Sequence, residues 1–286
     1  MILAVVGPTG VGKTKLSICL AKKYNAIIVN CDAFQIYKNM NIGTAKVTEE
    51  EKEGIDHYLF DIKEVDEYYS VKNYQDDLRN ILDNFKDKNI ILVGGTGLYL
   101  NAGIMDYRFD DDENITDYSE LTNEELYDLA LKKDSTMNIN KNNRVRLVRF
   151  LNKKNIDNVE PIKLYDVLII GLTTTRDTLY NVINKRVDNM IDNGLVDEVR
   201  SLYKQYPDAR SINTAIGYKE IIKYLKKEIT LDEAIELIKK NSRNYAKRQF
   251  TWFNNKLDVN WFNVNYDNFS DTIKEVEDFI EGEVNE

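Results

Sequence analysis

Short apolar runs alternate with amphipathic stretches along the first 173 residues of the chain. The runs are rich in Ile, Leu and Val, which predicts buried strands at 2–6, 26–31, 90–94 and 166–173. Apolar residues at helical spacing predict helices between them, at 13–24, 71–87 and 96–103. Strands that alternate with helices indicate an α/β fold, whose parallel sheet binds ligands at the carboxyl ends of its strands.

The pattern becomes mainly helical after residue 173. Amphipathic periodicity predicts helices at about 176–192, 195–205, 215–226, 231–255 and 270–281, with a short strand, VNWFNV, before the last helix. The segment between 104 and about 154 is polar and lacks strand patterns. We therefore predict a core of residues 1–103 and 155–286 with a helical C-terminal part, and a small helical insertion domain of residues 104–154.

Length and cysteine content narrow the class of protein. A chain of 286 residues can bury a large core. It has no apolar run of 18 residues, and its first strand breaks into Gly7-Pro8, so we expect a cytoplasmic protein without a signal peptide or membrane partner. Two cysteines and one histidine cannot form a structural zinc cluster, and we predict that Cys19 and Cys31 are buried thiols.

The net charge of −9 hides an uneven distribution. Residues 106–125 contain nine acids and only Arg108, a local charge of −8 that leaves −1 for the remainder. By contrast, residues 141–154 carry six positive charges and residues 239–248 carry five, without any acid. These two basic stripes could track an RNA backbone or could be solvated helix faces, and charge alone leaves both interpretations open.

The first strand runs directly into GPTGVGKT, a GxxxxGKT phosphate-binding loop. Its backbone N–H groups and the following helix N-terminus favour a diphosphate. Lys13 would reach the phosphates, and the Thr14 hydroxyl would hold Mg²⁺. The loop predicts phosphate binding but does not indicate the reaction.

Residues predicted to lie near the phosphate loop indicate what else the site could bind and which reaction it could catalyse. The strand IILV ends in Gly94-Gly95, where P-loop NTPases have an aspartate that holds magnesium and water. Asp61 is the only other candidate for this carboxylate, and it follows an apolar run too short to predict a strand. ATP hydrolysis is therefore disfavoured. Asp32 follows another strand and could serve as a general base. Gln35 could pair with an adenine edge and Tyr37 could stack on a base, while Thr96 begins a helix at the same sheet edge. Asp32 could instead be a helix N-cap, with Gln35 a surface residue.

Eight motifs together resemble the tRNA dimethylallyltransferase (tRNA isopentenyltransferase) family. In chain order they are GPTGVGKT, DAFQIY, IGTAK, DHYLFDI, GGTGLY, GLTTTRDTLYNVINKRVDNMIDNGLVDEV, IGYKE and RNYAKRQFTWF. Only the first is shared with unrelated P-loop proteins. The resemblance spans residues 1 to about 255, and it implies a P-loop NTPase-like parallel sheet flanked by helices.

The family also implies the reaction and its participants. Dimethylallyl diphosphate would donate its prenyl group to the exocyclic amine of the adenosine on the 3′ side of the anticodon. Asp32 would remove a proton, and Lys13, Thr14 with Mg²⁺, and one or both of Arg176 and Arg186 would stabilise the departing pyrophosphate. The adenosine would be flipped out of the anticodon stem-loop. The enzyme is expected to act as a monomer.

The resemblance assigns two sets of binding residues. The diphosphate would contact the phosphate loop, namely Gly7, Pro8, Thr9, Gly10, Val11, Gly12, Lys13 and Thr14. The tRNA would contact residues around the extruded adenosine and along the basic stripes, namely Asp32, Ala33, Phe34, Gln35, Thr96, Arg146, Arg149, Gly217, Tyr218, Lys219, Lys247, Arg248 and Gln249.

Some positions depart from the family pattern. Ala33 stands where serine is common, Asn143 replaces an aspartate, and Asn254 replaces a basic residue. Three other functions remain as alternatives. They are prenyl transfer to a free adenine nucleotide, which needs no RNA-binding stripe, a P-loop small-molecule kinase, and an RNA-binding protein without catalysis.

Overall fold

The computed structural model describes residues 1–107, 109, 116–153 and 162–285. The chain forms two compact units. The first combines Met1–Asp106 with Lys163–Glu286, and the second is Tyr107–Ile162.

The first unit contains a parallel sheet. Within the described residues its strands are β1 (Ile2–Val6), β2 (Ala26–Asn30), β3 (His57–Tyr58), β4 (Asn89–Val93), β5 (Leu168–Thr173) and β6 (Asn260–Asn263). They are arranged in the order β3-β2-β4-β1-β5-β6, and every pairing is parallel. All strands therefore end at one edge, and β1 lies between β4 and β5.

The described helices follow the predicted pattern closely. They are α1 (Lys13–Tyr24), α2 (Val71–Asn84), α3 (Gly97–Ile104), α4 (Asn123–Lys133), α5 (Arg144–Asn152), α6 (Arg176–Asp192), α7 (Leu195–Gln205), α8 (Arg210–Thr214), α9 (Tyr218–Leu225), α10 (Leu231–Lys256) and α11 (Phe269–Asn285). The predicted α/β fold with a helical C-terminal part is confirmed.

Helices cover both faces of the sheet. Alternate residues of β1 point to opposite faces, so that Leu3 and Val5 join one buried cluster, while Ala4 and Val6 join the other. The strands read as continuous apolar runs because both faces are buried. The sheet is thus a rigid platform for the loops at its carboxyl edge.

Three local expectations need correction. The sequence did not indicate β3, since two residues are too few to form a pattern. The helix expected at 215–226 begins only at Tyr218, because Gly217 adopts a φ of 96° that interrupts helical geometry. Cys31 is buried as expected, whereas Cys19 is only partly buried.

The second unit has a small core of its own. Leu126 and Ala130 of α4 pack with Leu147 of α5. The Arg144 guanidinium donates hydrogen bonds to the carbonyls of Tyr118 (2.6 Å) and Leu121 (2.5 Å). Part of the first basic stripe is therefore structural. Part of the acidic cluster predicted at 106–125 lies outside the described residues, namely the four acids at 110–113 together with Arg108.

A search for membrane spans among the described residues finds no helix with sufficient length and apolarity.

Candidate diphosphate and acceptor site

The loop between β1 and α1 has the backbone of a phosphate cradle. Gly7, Gly10 and Gly12 have φ values of 134°, 91° and 87°, a region that side chains disfavour. A Cβ atom at Gly7 would also lie 2.4 Å from the carbonyl oxygen of Leu172 in β5. These glycines are needed because the loop turns sharply against a neighbouring strand.

The Lys13 side chain folds back over the phosphate loop. Its Nζ donates hydrogen bonds to the carbonyls of Gly7 (3.0 Å) and Pro8 (2.8 Å). Burial is the main cause that lowers the pKa of Lys13 to about 7, the positive charge of Arg186 acts in the same direction, and the negative charge of Asp32 opposes both effects. A bound diphosphate would supply the negative charge that restores full protonation of this amine.

Asp32 lies in a turn that Asn30 holds in place. The buried Asn30 amide accepts the Asp32 N–H (2.8 Å) and donates to the carbonyls of Asp32 (3.0 Å) and Leu59 (2.9 Å). Asp32 Oδ1 accepts the Phe34 N–H at 3.0 Å. The aspartate thus closes a short turn and does not cap a helix, and its side chain lines the cavity described below.

Helix α10 connects the phosphate loop to the opposite side of the site through Gln249. This buried amide accepts the Thr9 N–H (3.0 Å) and donates to the Gly95 carbonyl (2.9 Å). The Thr96 hydroxyl accepts the Ala33 N–H at 3.1 Å. One helix therefore fixes the distance between the phosphate loop and the loop after β4.

Tyr245 lies one turn before Gln249 and belongs to the same network. Burial is the main cause that raises the pKa of Tyr245, to about 12 in total. The negative charge of Asp32 acts in the same direction, and hydrogen bonds from Thr96 and Gln249 oppose both effects. Sequence reasoning did not single out this tyrosine. Tyr245 lies four residues before Gln249, so that both side chains lie on one face of α10, and this spacing could have identified Tyr245 as a site residue.

These groups converge on a cavity of 780 Å³ at the carboxyl edge of the sheet. Lys13, Thr14, Asp32 and Arg186 all line it. Arg176, the other predicted arginine, lines a separate cavity of 230 Å³. The cavity lining therefore favours Arg186 as the arginine that meets the diphosphate.

The 780 Å³ cavity also has an apolar wall. Val182, Ile183 and Met190 of α6 contribute to it, together with Ile216 and the buried Ile238 of α10. Such a wall can pack against a short branched hydrocarbon and keep water away from a reactive carbon.

Four predicted contacts do not fit the structure. The Gln35 amide nitrogen is directed to the carbonyls of Thr44 (3.0 Å) and Ala45 (3.4 Å), so the predicted bidentate pairing with adenine lacks a donor. Tyr37 is buried and cannot stack on a base. Tyr218 is fully buried and donates to Glu198, and both ends of the Gln249 amide are engaged within the protein.

Two other predicted roles change in a similar way. Asp61, the weak candidate for a metal-binding carboxylate, forms an ion pair with the buried amine of Lys46 at 2.5 Å. Trp252 packs against Gly97 and Phe253, and Phe253 is buried in the core, which agrees with their interpretation as core aromatics.

The other predicted RNA contacts remain accessible. Arg146 and Arg149 are exposed and lie three residues apart on α5. Lys247 and Arg248 are exposed on α10. Residues that line the 780 Å³ cavity include Phe34, Gly217, Lys219 and Arg248.

Two aromatic residues beside the phosphate loop were missed. The Tyr266 hydroxyl donates to the Gly10 carbonyl at 3.2 Å. The Phe269 ring packs so closely on Gly12 that an added Cβ would lie 2.6 Å away. Both residues follow β6, which ends at the ligand edge of the sheet. This position after a strand was the only feature of the sequence that could have identified them as site residues.

The protein groups at this site suit Mg²⁺ only if a substrate supplies further oxygen ligands. Within the described residues there is no group of three or more His, Cys, Asp or Glu side chains that could hold a metal. The exposed Thr14 hydroxyl lines the cavity beside Lys13. Mg²⁺ commonly retains waters and binds through substrate phosphates, so one hydroxyl beside a diphosphate fits its preferences.

A glycine-rich phosphate loop at the centre of a parallel sheet, beside a carboxylate and an arginine, defines a P-loop α/β protein with a phosphate-binding site. Residues 35–256 match the IPP transferase family. The chain is also 49% identical over 280 residues to a tRNA dimethylallyltransferase of Fusobacterium nucleatum, covering 92% of this chain and 91% of the relative. It belongs to the IPP transferase family.

Further relatives match along nearly the whole chain. A tRNA dimethylallyltransferase of Anoxybacillus flavithermus is 44% identical over 300 residues, covering 98% of this chain and 96% of the relative. The crystal structure of a tRNA isopentenylpyrophosphate transferase from Bacillus halodurans has a TM-score of 0.78 and 41% identity, and the match covers 98% of this chain and 95% of that chain. A eukaryotic dimethylallyltransferase, solved in crystallographic snapshots of its action on tRNA, has a TM-score of 0.84 and 26% identity. The match covers 98% of this chain and 79% of that chain.

Proposed function

We propose that this protein is a tRNA dimethylallyltransferase. It transfers the dimethylallyl group from dimethylallyl diphosphate to the exocyclic amine of the adenosine that follows the anticodon on its 3′ side, and releases pyrophosphate. The observation that carries this proposal is that Lys13, Asp32 and Arg186 line one cavity, in a chain that belongs to the IPP transferase family.

The donor side of the cavity is positively charged. Lys13 and Arg186 lie beside the loop, and the Thr14 hydroxyl would hold Mg²⁺ against the diphosphate oxygens. The metal would neutralise negative charge on the leaving group. Lys13 and Arg186 stabilise the same charge as it grows on pyrophosphate.

The acceptor side removes one proton. The exocyclic nitrogen of adenine attacks the allylic carbon, a C–N bond forms, and the C–O bond to diphosphate breaks. The nitrogen then carries an extra proton, which Asp32 accepts. The apolar wall of α6 and α10 would hold the prenyl group and exclude water, which would otherwise capture the allylic carbon.

Exposed cations favour tRNA over a free nucleotide as the acceptor. Lys247 and Arg248 on α10, and Arg146 and Arg149 on α5, are available for phosphate contacts that a single nucleotide does not need. Monomeric state and cytoplasmic location stay predictions of the sequence.

The deciding experiment is nucleoside mass spectrometry of two parallel reactions. The purified protein is incubated with Mg²⁺ and dimethylallyl diphosphate, together with either an unmodified tRNA transcript or AMP. We expect prenylated adenosine from tRNA and none from AMP. Prenylated AMP alone would indicate the free-nucleotide enzyme. A separate assay with ATP and a small acceptor tests the kinase alternative, which ATP turnover would indicate. Bound tRNA without product would indicate an RNA-binding protein.

A further inference from the structure

A second cavity of 230 Å³ lies beside the phosphate loop at the same edge of the sheet. Pro8 of the loop and Thr173 at the end of β5 line it, together with Arg176 of α6 and Lys247 and Phe250 of α10. None of these five residues lines the 780 Å³ cavity. The proposed reaction therefore leaves this cavity without a role.

The cavity combines the two chemistries that bind a nucleotide. Arg176 and Lys247 are exposed cations, suitable for a phosphate group. Phe250 is 39% exposed, and its ring packs on Trp261 with centroids 5.0 Å apart. An exposed aromatic ring beside cations is a platform on which a base can stack.

Arg176 is already oriented in this cavity. Its guanidinium lies over the Tyr180 ring, 5.1 Å from the centroid, and Arg243 lies 5.7 Å from the same centroid. The aromatic contact restricts the arginine side chain, so less conformational entropy is lost when it binds a phosphate. Tyr180 lines the same cavity, so this contact keeps Arg176 there.

The two cavities are separated by one stretch of α10. Tyr245, Arg248 and Gln249 face the larger cavity, whereas Lys247 and Phe250 face the smaller one. The same stretch of α10 therefore borders both cavities, so that an RNA strand with one nucleotide beside Asp32 could place a neighbouring group in the smaller cavity. A free nucleotide has no group to place there.

We propose that the 230 Å³ cavity is a subsite for one nucleotide flanking the reacting adenosine, with its phosphate on Arg176 and Lys247 and its base on Phe250. This inference rests on the proposed function, because it requires a single-stranded RNA acceptor. It makes Phe250 a residue that recognises the RNA strand and takes no part in the chemistry.

A double-mutant cycle between protein and RNA tests the subsite. Anticodon stem-loop RNAs with one abasic nucleotide at each flanking position in turn are titrated by fluorescence anisotropy against wild-type protein and Phe250→Leu. At one position, loss of the base should weaken wild-type binding about tenfold, within the range for aromatic–base stacking. The same loss should have no further effect on Phe250→Leu. Phe250→Trp, which keeps a ring, should behave as wild type.

A second cycle covers the case in which Phe250→Leu misfolds. Lys247→Met is paired with RNAs that carry a neutral methylphosphonate at each flanking phosphate, and coupling is expected at the nucleotide identified by the base scan. Additive effects at every position in both cycles would overturn the subsite. Prenyl transfer by the wild-type enzyme is measured separately. Transfer without coupling would remove only the subsite, and coupling without transfer would remove only the proposed function.

Discussion

Asp32 is held by hydrogen bonds that an asparagine could also make. Its Oδ1 accepts the Phe34 N–H, and Asn30 holds its backbone. Asp32→Asn preserves that acceptor and removes the base. We expect kcat to fall about 10²- to 10⁴-fold, the usual contribution of a general base. RNA affinity should change less than about threefold, because the turn persists.

Rapid-quench measurement of prenyl transfer, with anisotropy for RNA binding, checks this expectation. Asp56→Asn, at the turn before β3, is the matched control and should leave kcat unchanged. Near-normal transfer by Asp32→Asn would remove Asp32 from the role of base.

The lowered pKa of Lys13 predicts a pH dependence of pyrophosphate binding. Its value of about 7 in the free protein means that the amine is mostly neutral at pH 8. Pyrophosphate favours the ammonium form, so binding at pH 8 should take up a proton. Affinity should fall as pH rises above 7, by up to about tenfold per pH unit while one proton is taken up.

Calorimetry in buffers of different ionisation enthalpy measures this proton uptake directly. Lys13→Arg is the comparison, because an arginine stays charged throughout the range and the ionisation of pyrophosphate itself is common to both proteins. The difference in proton uptake at pH 8 should approach one. Equal uptake by the two proteins would show that Lys13 is already protonated in the free state.

At the scale of elements, α10 acts as a clamp between two loops. Gln249→Leu leaves the Thr9 N–H and the Gly95 carbonyl without their partner. We expect the free energy of unfolding to decrease by about 1–3 kcal/mol, since buried polar groups would lose hydrogen bonds. KM for dimethylallyl diphosphate should rise, because the phosphate loop loses its support.

Urea unfolding and steady-state kinetics measure the two effects. Gln249→Glu keeps the acceptor for Thr9 but places a carboxylate beside the loop, so KM should rise further than in Gln249→Leu. Gln205→Leu, at an exposed glutamine near the end of α7, should change neither quantity. A Gln249→Leu protein with normal stability and normal KM would show that the loops do not depend on this clamp.

At the scale of the molecule, the net charge is negative although the proposed partner is RNA. Local charge resolves the conflict, since residues 141–154 and 239–248 contain no acid. These two segments include the exposed Arg146 and Arg149 of α5 and the exposed Lys247 and Arg248 of α10. Replacing Lys247 and Arg248 with methionine should weaken tRNA binding and reduce the slope of log K against log salt by about 1.4, the value for two contacts to a single strand.

Lys86→Met with Lys88→Met is the matched control for charge. These exposed lysines precede β4, at the sheet edge opposite to the site, and their loss should leave the salt slope unchanged. Filter binding at four or more salt concentrations gives the slopes. Equal slopes for the Lys247–Arg248 variant and wild type would argue against contact between this part of α10 and the RNA backbone.

Apolar periodicity and the glycine-rich loop determined most of the fold and half of the site. Buried strands such as β1 and β4 are readable because each must be apolar on both faces. Lys13 and Thr14 were identifiable from the GxxxxGKT pattern of the loop after β1, and Asp32 was identifiable because it lies two residues after β2, which ends at the ligand edge. The two-residue β3 and the break at Gly217 were not readable, since neither leaves a periodic signal.

Only the tertiary structure decided how residues distant in sequence share the site. Arg176 and Arg186 lie ten residues apart on α6 and look alike in sequence, yet the path of the helix puts them in different cavities. Gln249 and Tyr218 looked like RNA contacts until burial and internal hydrogen bonds accounted for them. The sequence by itself determines which side chains and local turns exist. Packing determines which of them face a ligand, because exposure and hydrogen bonding depend on neighbours that local pattern does not record.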